Sequence, residues 1–313
     1  MRKESVYQMS QEEKEYLARY SIAKYERPSI AADMAVFTVM GNQEKGMVRD
    51  KENYRKRPEK RLKILLIKRG SYPYKDQWAL PGGFCKKGEE VSEAARRELF
   101  EETRVKDAYL NLAGVFGEEG RDPRGWIISH TFLALFGGEK YHLRAGSDAW
   151  DARWFEVEFT KERTMEEWGE ITTCKNTTYR LTLTNYDEEE PVFLQAVIRE
   201  EKSFHQFQVR TKYEIEEEQG FAFDHAKIIT HSLLGLRKQA ETDGRIVFDL
   251  MPEYFTLAEL QDACEIILGK ELLTANFRRK MADYVVETDK MLEGAGHRPA
   301  KLYKRNLQSV FME

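Results

Sequence analysis

Hydrophobic and polar positions follow two patterns along this chain, and the change from one to the other predicts its layout. Ala31–Met40 and Arg61–Lys68 are apolar runs containing β-branched residues, which predict two strands. Residues 158–222 alternate apolar and polar positions and predict extra antiparallel strands that extend the same sheet. From Phe223 the apolar positions recur at helical spacing. Further elements are predicted as strands at Val115–Phe116, Ile127–Phe136 and Asp151–Val157 and as an amphipathic helix over 6–20.

The last 70 or so residues predict two helices and a hairpin. One helix is expected to be capped by Thr256 and to stop at Gly269. A second helix, capped by Thr274, is expected over 275–288, and residues 297–306 are expected to form a hairpin arm. The buried stripe of the second helix is predicted to comprise Phe277, Met281 and Val285.

Composition narrows the class of protein without identifying its chemistry. A chain of 313 residues has room for two domains, which we expect at 1–240 and 245–313. No apolar run approaches the 18 or so residues of a membrane span, and the first residues contain no apolar signal core, so no membrane partner is expected. The three cysteines have no paired metal spacing, and a reduced cytoplasm is the expected location.

Three carboxylates are concentrated on the helix predicted at Ser92–Thr103. Glu98, Glu101 and Glu102 are spaced i, i+3 and i+4, which places them on one helix face. Like charges at this spacing repel by about 0.2–0.5 kcal/mol per exposed pair. Such a face is either simply solvated or holds a cation, and Mg²⁺ (or Mn²⁺) prefers oxygen ligands of this kind.

The residues around this helix decide between those alternatives. Gly82 and Gly83 allow a tight turn through which the backbone can approach a metal or phosphate, and Arg97 can pair with Glu89 across that turn. From Gly83 to Val105 the spacing resembles the Nudix box, Gly-x5-Glu-x7-Arg-Glu-U-x-Glu-Glu-x-Gly-U, in which U is a bulky aliphatic residue. The single departure is Arg104, which stands where the family has glycine. A helix-ending glycine is favoured in the left-handed conformation, so we expect the exit loop to shift and the carboxylates to remain in place.

The resemblance to the Nudix superfamily implies an α+β fold, an α/β/α sandwich with a mixed sheet, that cleaves a nucleoside diphosphate linked to another group. It implies that Glu98, Glu101 and Glu102 bind the metal, with Arg97 and Glu89 as the supporting pair.

Two further segments concern the substrate. Arg121 and Arg124 flank a proline turn, where they either bind phosphate through their planar guanidinium groups or are merely solvated. Arg69 can add charge, and Trp78 is equally well explained as a stacking surface or as core. Gly120–Gly125 and residues 145–155 are similar to the ADP-ribose-type branch of the superfamily, which implies an ADP-ribose-like substrate.

The C-terminal segment carries a basic surface. Its basic positions are Arg278, Arg279 and Lys280 on the second helix and Arg298, Lys301 and Lys304 on the hairpin. Helix, turn, basic helix and basic wing predict a small winged helix-turn-helix domain suited to double-stranded DNA, and a helical dimerisation module is the alternative. The order of parts resembles the Nudix-related transcriptional regulators of bacterial NAD and sugar metabolism, which implies a homodimer that binds operators.

Two hypotheses therefore remain. The first is a metal-dependent Nudix pyrophosphohydrolase that cleaves ADP-ribose to AMP and ribose 5-phosphate in a chain that also binds DNA. The second is a transcriptional regulator that senses ADP-ribose or a sugar metabolite with little or no hydrolysis. The intact carboxylates favour the first, whereas Arg104 and the basic surface favour the second.

Overall fold

The computed structural model describes residues 9–41, 60–104, 108–137, 149–169, 172–186, 189–205, 207–292 and 300–311. The predicted box residue Val105 and the predicted DNA-binding residue Arg298 lie outside this part of the chain. Among the described residues, no helix is long and apolar enough to cross a membrane.

Ten strands form a single mixed sheet. They are β1 (Ser29–Gly41), β2 (Lys60–Arg69), β3 (Trp78–Ala79), β4 (Gly82–Phe84), β5 (Tyr109–Phe116), β6 (Ile127–Leu135), β7 (Ala149–Trp168), β8 (Thr172–Asn185), β9 (Val192–His205) and β10 (Gln208–Gln219). Their order is β10-β9-β8-β7-β2-β1-β6-β5, with β3 beside β2 and β4 beside β1. Neighbouring strands are antiparallel except β1 and β6, which are parallel. The predicted mixed sheet and its antiparallel extension are therefore confirmed.

The helices are α1 (Gln11–Arg19), α2 (Val91–Thr103), α3 (His225–Thr242), α4 (Leu257–Leu268) and α5 (Thr274–Met281). Helices cover both faces of the central strands. Ala32, Met34 and Val36 of β1 lie in the apolar cluster that includes α2, whereas Ala35 and Phe37 lie in the cluster that includes α3. The helices contribute Ala94, Ala95 and Leu99 from α2 and Ile229, Leu233 and Leu236 from α3. Burying each leucine or isoleucine stabilises the fold by about 1.5–3 kcal/mol, so the two clusters hold the predicted α/β/α sandwich together.

The strands of the extension differ from prediction in one place. The period-two pattern over residues 204–216, within the predicted extension, favours a single strand, but β9 ends at His205, and β10 begins at Gln208 and pairs antiparallel with it. No glycine, proline, asparagine or aspartate marks the turn in the sequence, so the pattern alone could not locate it.

The C-terminal helices end differently from each other. The cap of α4 is confirmed: the Thr256 hydroxyl accepts the Glu259 N–H at 3.1 Å, and Gly269 ends the helix at φ 66°. The predicted second helix is too long, because α5 stops at Met281 and Val285 begins a strand. Val285 and its neighbour are β-branched and pair with Arg305 and Lys304, so ladder hydrogen bonds replace helical ones. The predicted place of Val285 on a helical stripe is therefore wrong.

That strand completes a two-stranded wing. β11 (Val285–Leu292) pairs with the antiparallel β12 (Ala300–Arg305). The predicted hairpin arm is confirmed as β12, and the predicted winged helix-turn-helix arrangement is present as α4, α5 and the wing.

α3 joins the sandwich to the C-terminal helices. Near its end, Arg237 Nε donates to the Ile267 carbonyl of α4 at 3.0 Å. Lys280 Nζ of α5 donates to the Glu241 carbonyl of α3 at 2.8 Å. The same buried apolar cluster runs from Phe37 in the sheet to Phe277 in α5. The domain boundaries at 1–240 and 245–313 stay a prediction.

Candidate functional site

Arg97 lies at the centre of the carboxylate face of α2. Its Nε and Nη2 donate to the two Glu89 oxygens at 2.7 and 2.9 Å, which fixes the turn to the helix as predicted. Its Nη1 donates to Glu98 at 2.6 Å and to Glu101 at 3.3 Å. Hydrogen bonds from Arg97 and from the Lys86 amide lower the pKa of Glu89 to about 2. One guanidinium therefore holds three carboxylates in place and stabilises the ionised form of Glu89.

The two glycines of the turn are close-packed against these acids. The Gly82 N–H donates to Glu102 at 2.8 Å. A side chain at Gly83 would place its Cβ 2.4 Å from the Glu98 carboxyl, and one at Gly82 would place it 2.5 Å from the Ala32 carbonyl. Only glycine allows this approach, because any Cβ would displace the backbone or a candidate ligand.

The three predicted metal ligands lie on one face of α2, but their side chains differ in exposure and in contacts. Glu101 has a half-exposed side chain, whereas Glu98 is largely shielded beside Arg97 and Glu102 is held by Gly82. Within the described parts of the chain, no three acidic, histidine or cysteine side chains lie close enough together to hold a metal ion by themselves. Carboxylate oxygens around a close-packed glycine turn fit a hard divalent ion that keeps several waters, and in that sense the donor set fits Mg²⁺.

Arg104 ends α2 as its capping residue. It adopts the left-handed conformation expected of the family glycine, with φ 63° and ψ 12°, and its N–H donates to the Phe100 carbonyl at 3.0 Å. Its guanidinium lies 5.3 Å from the centre of the Phe100 ring, a cation–π contact that offsets part of the strain. The carboxylate helix is intact as expected, whereas the exit loop at residues 105–107 lies outside the described residues, so its expected shift stays a prediction.

Arg69 and Arg124 form the part of the predicted substrate site that stays accessible. Both guanidinium groups lie over the Phe223 ring, at 4.8 and 5.2 Å from its centre. Arg124 also lies 5.0 Å from the centre of the half-exposed Phe84 ring and pairs with Asp122 at 2.7 Å. Burial and, next, the like charge of Arg124 lower the pKa of Arg69. Asp122 compensates one of these two charges, and the positive charge that remains favours an anion beside them.

The other two predicted substrate residues are buried. Arg121 donates to both Asp224 oxygens, at 2.8 and 3.1 Å, and its side chain is only 5% exposed. Trp78 is 4% exposed and packs edge-on against Phe155 at 4.8 Å between ring centres. The geometry gives Arg121 a structural ion pair and Trp78 a place in the core, while substrate contact by either residue stays a prediction.

Sequence reasoning missed the residues that hold these parts. His225 Nδ1 accepts the Leu80 N–H at 2.9 Å, Asp224 binds Arg121, and Phe223 contacts Arg69 and Arg124. Asp33, also missed, is buried, is paired with Gly82 across β1 and β4, and accepts the Ser129 hydroxyl. The start of α3 was visible in the sequence as a change of periodicity. Nothing local indicated contacts more than 100 residues away.

The predicted basic surface is exposed on α5 and the wing. Arg278, Arg279 and Lys280 are all exposed, and Arg278 has no hydrogen bond or ion pair within the described residues. Arg279 donates to Asn276 at 3.1 Å. On the wing, Lys301 pairs with Glu287, while the exposed side chain of Lys304 has no hydrogen-bond or ion-pair partner among the described residues.

Comparison with known proteins identifies both halves. The NUDIX domain family matches residues 54–173, and the NrtR DNA-binding winged helix domain matches residues 247–305. The chain is 28% identical over 299 residues, 95% of its length and 89% of the relative's, to an ADPR responsive transcriptional repressor NtrR of Acinetobacter baylyi. It is 49% identical over 100 residues to an ADP-ribose pyrophosphatase of Methanocaldococcus jannaschii, a match that spans 32% of this chain and 57% of that protein.

A solved structure supports the same architecture. The crystal structure of a MutT/nudix family protein from Enterococcus faecalis superimposes with a TM-score of 0.58 at 25% identity, covering 96% of this chain and 100% of that one. Fold and site together define a Nudix-type domain followed by a winged helix domain. The chain therefore joins a Nudix domain to an NrtR-type winged helix domain, as the resemblance implies.

Proposed function

We propose that this chain hydrolyses ADP-ribose, a nucleoside diphosphate linked to a sugar, to AMP and ribose 5-phosphate, and that it also binds DNA. The observation that carries the proposal is the complete carboxylate face of α2, with Glu98, Glu101 and Glu102 held between Arg97 and the glycine turn. The ADP-ribose pyrophosphatase named above supports the choice of substrate.

Different residues of the site would bind the metal, position the helix and orient the substrate. Glu98, Glu101 and Glu102 would hold Mg²⁺ (or Mn²⁺), which when bound neutralises diphosphate charge and activates water for attack at phosphorus. Arg97 and Glu89 keep the helix and turn at a fixed separation. Arg69 and Arg124 face the same region and would orient the diphosphate through their guanidinium groups.

A test of hydrolysis needs only the intact chain, ADP-ribose and Mg²⁺. The expected products are AMP and ribose 5-phosphate in equal amounts, separated by chromatography, with no reaction when the metal is chelated. Absence of AMP at high protein concentration would remove hydrolysis from the proposal and leave the site as a sensor.

A second function is favoured by the exposed basic residues of α5 and the wing. We infer that the chain is a DNA-binding regulator, acting as a homodimer in the cytoplasm, whose Nudix site recognises ADP-ribose as its signal. The similarity to an ADPR responsive repressor over 95% of the chain supports this inference. Arg278, Arg279, Lys280, Lys301 and Lys304 would contact DNA, as would Arg298.

DNA upstream of the chain's own gene is the natural probe. Binding should weaken steeply between about 50 and 200 mM salt, because each phosphate contact releases a condensed counterion. Sedimentation equilibrium of the same sample tests the homodimer. Binding that is absent, or that does not change with salt, would leave the basic surface without this role.

A further inference from the structure

Phe223 is held in an unusual backbone conformation at the entrance to α3. Its φ is 54°, a left-handed value that bulky residues rarely adopt, and its side chain is 8% exposed. A glycine would adopt this conformation without strain but would provide no ring. Strain of this kind persists where the surrounding structure fixes it, and such positions cluster at functional sites.

The Phe223 ring is the shared contact of two cations. Arg69 and Arg124 lie over it at 4.8 and 5.2 Å, and the Tyr74 ring packs against it at 4.7 Å between centres. The Pro73 carbonyl accepts Arg69 Nε at 2.8 Å, so this guanidinium is aimed by the backbone as well as by the ring. Within the described residues, Arg69 forms no ion pair.

These two cations lie within electrostatic reach of the carboxylate site. The charge of Glu102 acts on Arg69, and Arg124 contacts Phe84, whose carbonyl accepts Arg97 Nη2 at 3.2 Å. A dianionic group bound at α2 would therefore have the two guanidinium groups beside it. Burial of part of Arg69 strengthens its attraction for a phosphate, because fewer water dipoles screen it.

The residues after Phe223 fix this arrangement to α3. Asp224 binds Arg121, and His225 accepts the Leu80 N–H, two residues before Gly82. Gly220 and Ala222 form backbone hydrogen bonds with Trp78 at 3.0 and 2.8 Å. The whole segment lies beyond residue 173, where the match to the NUDIX domain ends.

We propose that Phe223 is a positioning residue that holds Arg69 and Arg124 as a two-arginine subsite for the diphosphate of the substrate. The inference rests on the proposed function for the identity of the substrate, but the subsite itself is defined for any diphosphate anion.

The experiment compares Phe223→Leu, Phe223→Tyr and the wild-type chain, with Phe116→Leu as the matched control. Phe116 packs edge-on against His231 of α3, and no arginine of the described residues lies over its ring. With ADP-ribose and Mg²⁺, Phe223→Leu should raise KM about tenfold, since two cation–π contacts are lost, and leave kcat within about a factor of two. Phe223→Tyr keeps the ring face and should restore KM, whereas Phe116→Leu should not change it. An unchanged KM in Phe223→Leu would overturn the proposal.

Calorimetric titration with inorganic pyrophosphate gives a readout independent of turnover. Phe223→Leu should weaken pyrophosphate binding, and so should Arg69→Gln/Arg124→Gln. Adding Phe223→Leu to that double variant should cause no further loss, because the ring acts only through the two arginines. A further loss would show a merely structural role and overturn the proposal.

The same titration separates this proposal from the proposed function. If the wild type binds pyrophosphate through Phe223 but does not cleave ADP-ribose, the subsite stands and the hydrolase does not. Wild-type binding that is absent, or indifferent to Phe223, overturns the subsite whatever the activity. Should Phe223→Leu unfold at the assay temperature, the less buried Arg69→Gln and Arg124→Gln decide, and normal pyrophosphate binding in both overturns it.

Discussion

The charged side chains of α2 and α5 differ in how many fixed partners they have. On α2 nearly every functional charge has a fixed partner, and Arg97 alone contacts Glu89, Glu98 and Glu101. On α5 the cations are exposed: Arg279 and Lys280 each donate one hydrogen bond to an uncharged group, and Arg278 has no side-chain partner among the described residues. Both helices are short, and both are anchored by buried apolar residues, such as Leu99 and Phe277.

The difference follows from the ligand that each helix suits. A small diphosphate and its metal need donor atoms held within fractions of an ångström, so neighbouring elements must fix each side chain in advance. A DNA backbone offers many equivalent phosphates, and long flexible cations can adjust to it while contributing a salt-dependent attraction. The density of partners around a charge is therefore informative about the kind of ligand.

The largest expected effect lies on the preorganised side. Glu101→Gln or Glu102→Gln removes a ligand charge and should lower Mg²⁺-dependent hydrolysis of ADP-ribose by about 10²–10³-fold, since the metal supplies several kcal/mol of charge stabilisation. The control is Glu158→Gln, which changes an exposed acidic residue of β7 and should keep the wild-type rate. Steady-state rates decide the matter, and wild-type rates in both site variants would disprove the assignment.

On the open side, Arg278→Ala should weaken DNA binding by about tenfold and leave the free energy of unfolding within about 0.5 kcal/mol. The exposed Lys238 of α3 offers a control with the same change of charge, Lys238→Ala, which should bind DNA normally. Fluorescence anisotropy at two salt concentrations measures both. Equal affinities for Arg278→Ala and the wild type would remove α5 from the DNA-binding surface.

A smaller effect is expected at the ends of two helices that share one conformation. Arg104 and Gly269 are both left-handed, at φ 63° and 66°. Arg104→Gly should stabilise the fold by about 1 kcal/mol, because the left-handed strain of about 1–2 kcal/mol exceeds the cation–π contact with Phe100. Gly269→Ala should destabilise it by a similar amount. Urea midpoints provide the measurement, and a destabilised Arg104→Gly would mean that the arginine contributes more than its strain costs.

The smallest effect is a dependence of stability on pH. Burial lowers the pKa of His225, which accepts a hydrogen bond from Leu80 and must stay neutral in the fold. Below the ordinary histidine pKa of about 6.5, the unfolded chain gains a proton that the folded chain resists. The free energy of unfolding should therefore decrease as the pH is lowered through this range. His225→Gln keeps an acceptor and should flatten that slope. Identical slopes for the two proteins between pH 7.5 and 5.5 would exclude this contribution.

Local patterns predicted much of this molecule. The box residues and the ends of α2 followed from spacing within 23 residues, and the cap of α4 followed from the Thr256 and Glu259 pair. The end of α5 did not, because Val285 fits a helical stripe and a strand equally well until its partner Arg305 is known. Arg305 lies 20 positions after Val285, and nothing in the local sequence indicates that the two residues pair across neighbouring strands.

The positions of the predicted substrate-binding residues could be predicted less well than those of the carboxylates. Arg121 and Arg124 lie on one turn in the sequence, and no local feature predicts which of them is buried and which stays exposed. In the fold, Arg121 is buried in an ion pair with Asp224, 103 residues later, whereas Arg124 pairs with Asp122 and lies over Phe223 with its side chain partly exposed. Similarly, the Leu80 amide meets His225 across 145 residues. Contacts at such separations depend on the packing of α3 against the sheet, which no local pattern encodes.

The most direct test of the preorganised site follows ADP-ribose by ³¹P NMR in the presence of Mg²⁺ and the intact chain. We expect the two diphosphate resonances to be replaced by two phosphomonoester resonances of equal intensity, at a rate that falls to background in Glu102→Gln. Diphosphate resonances that persist, or that disappear equally fast with the wild type and Glu102→Gln, would contradict the assignment of α2 as the hydrolytic site.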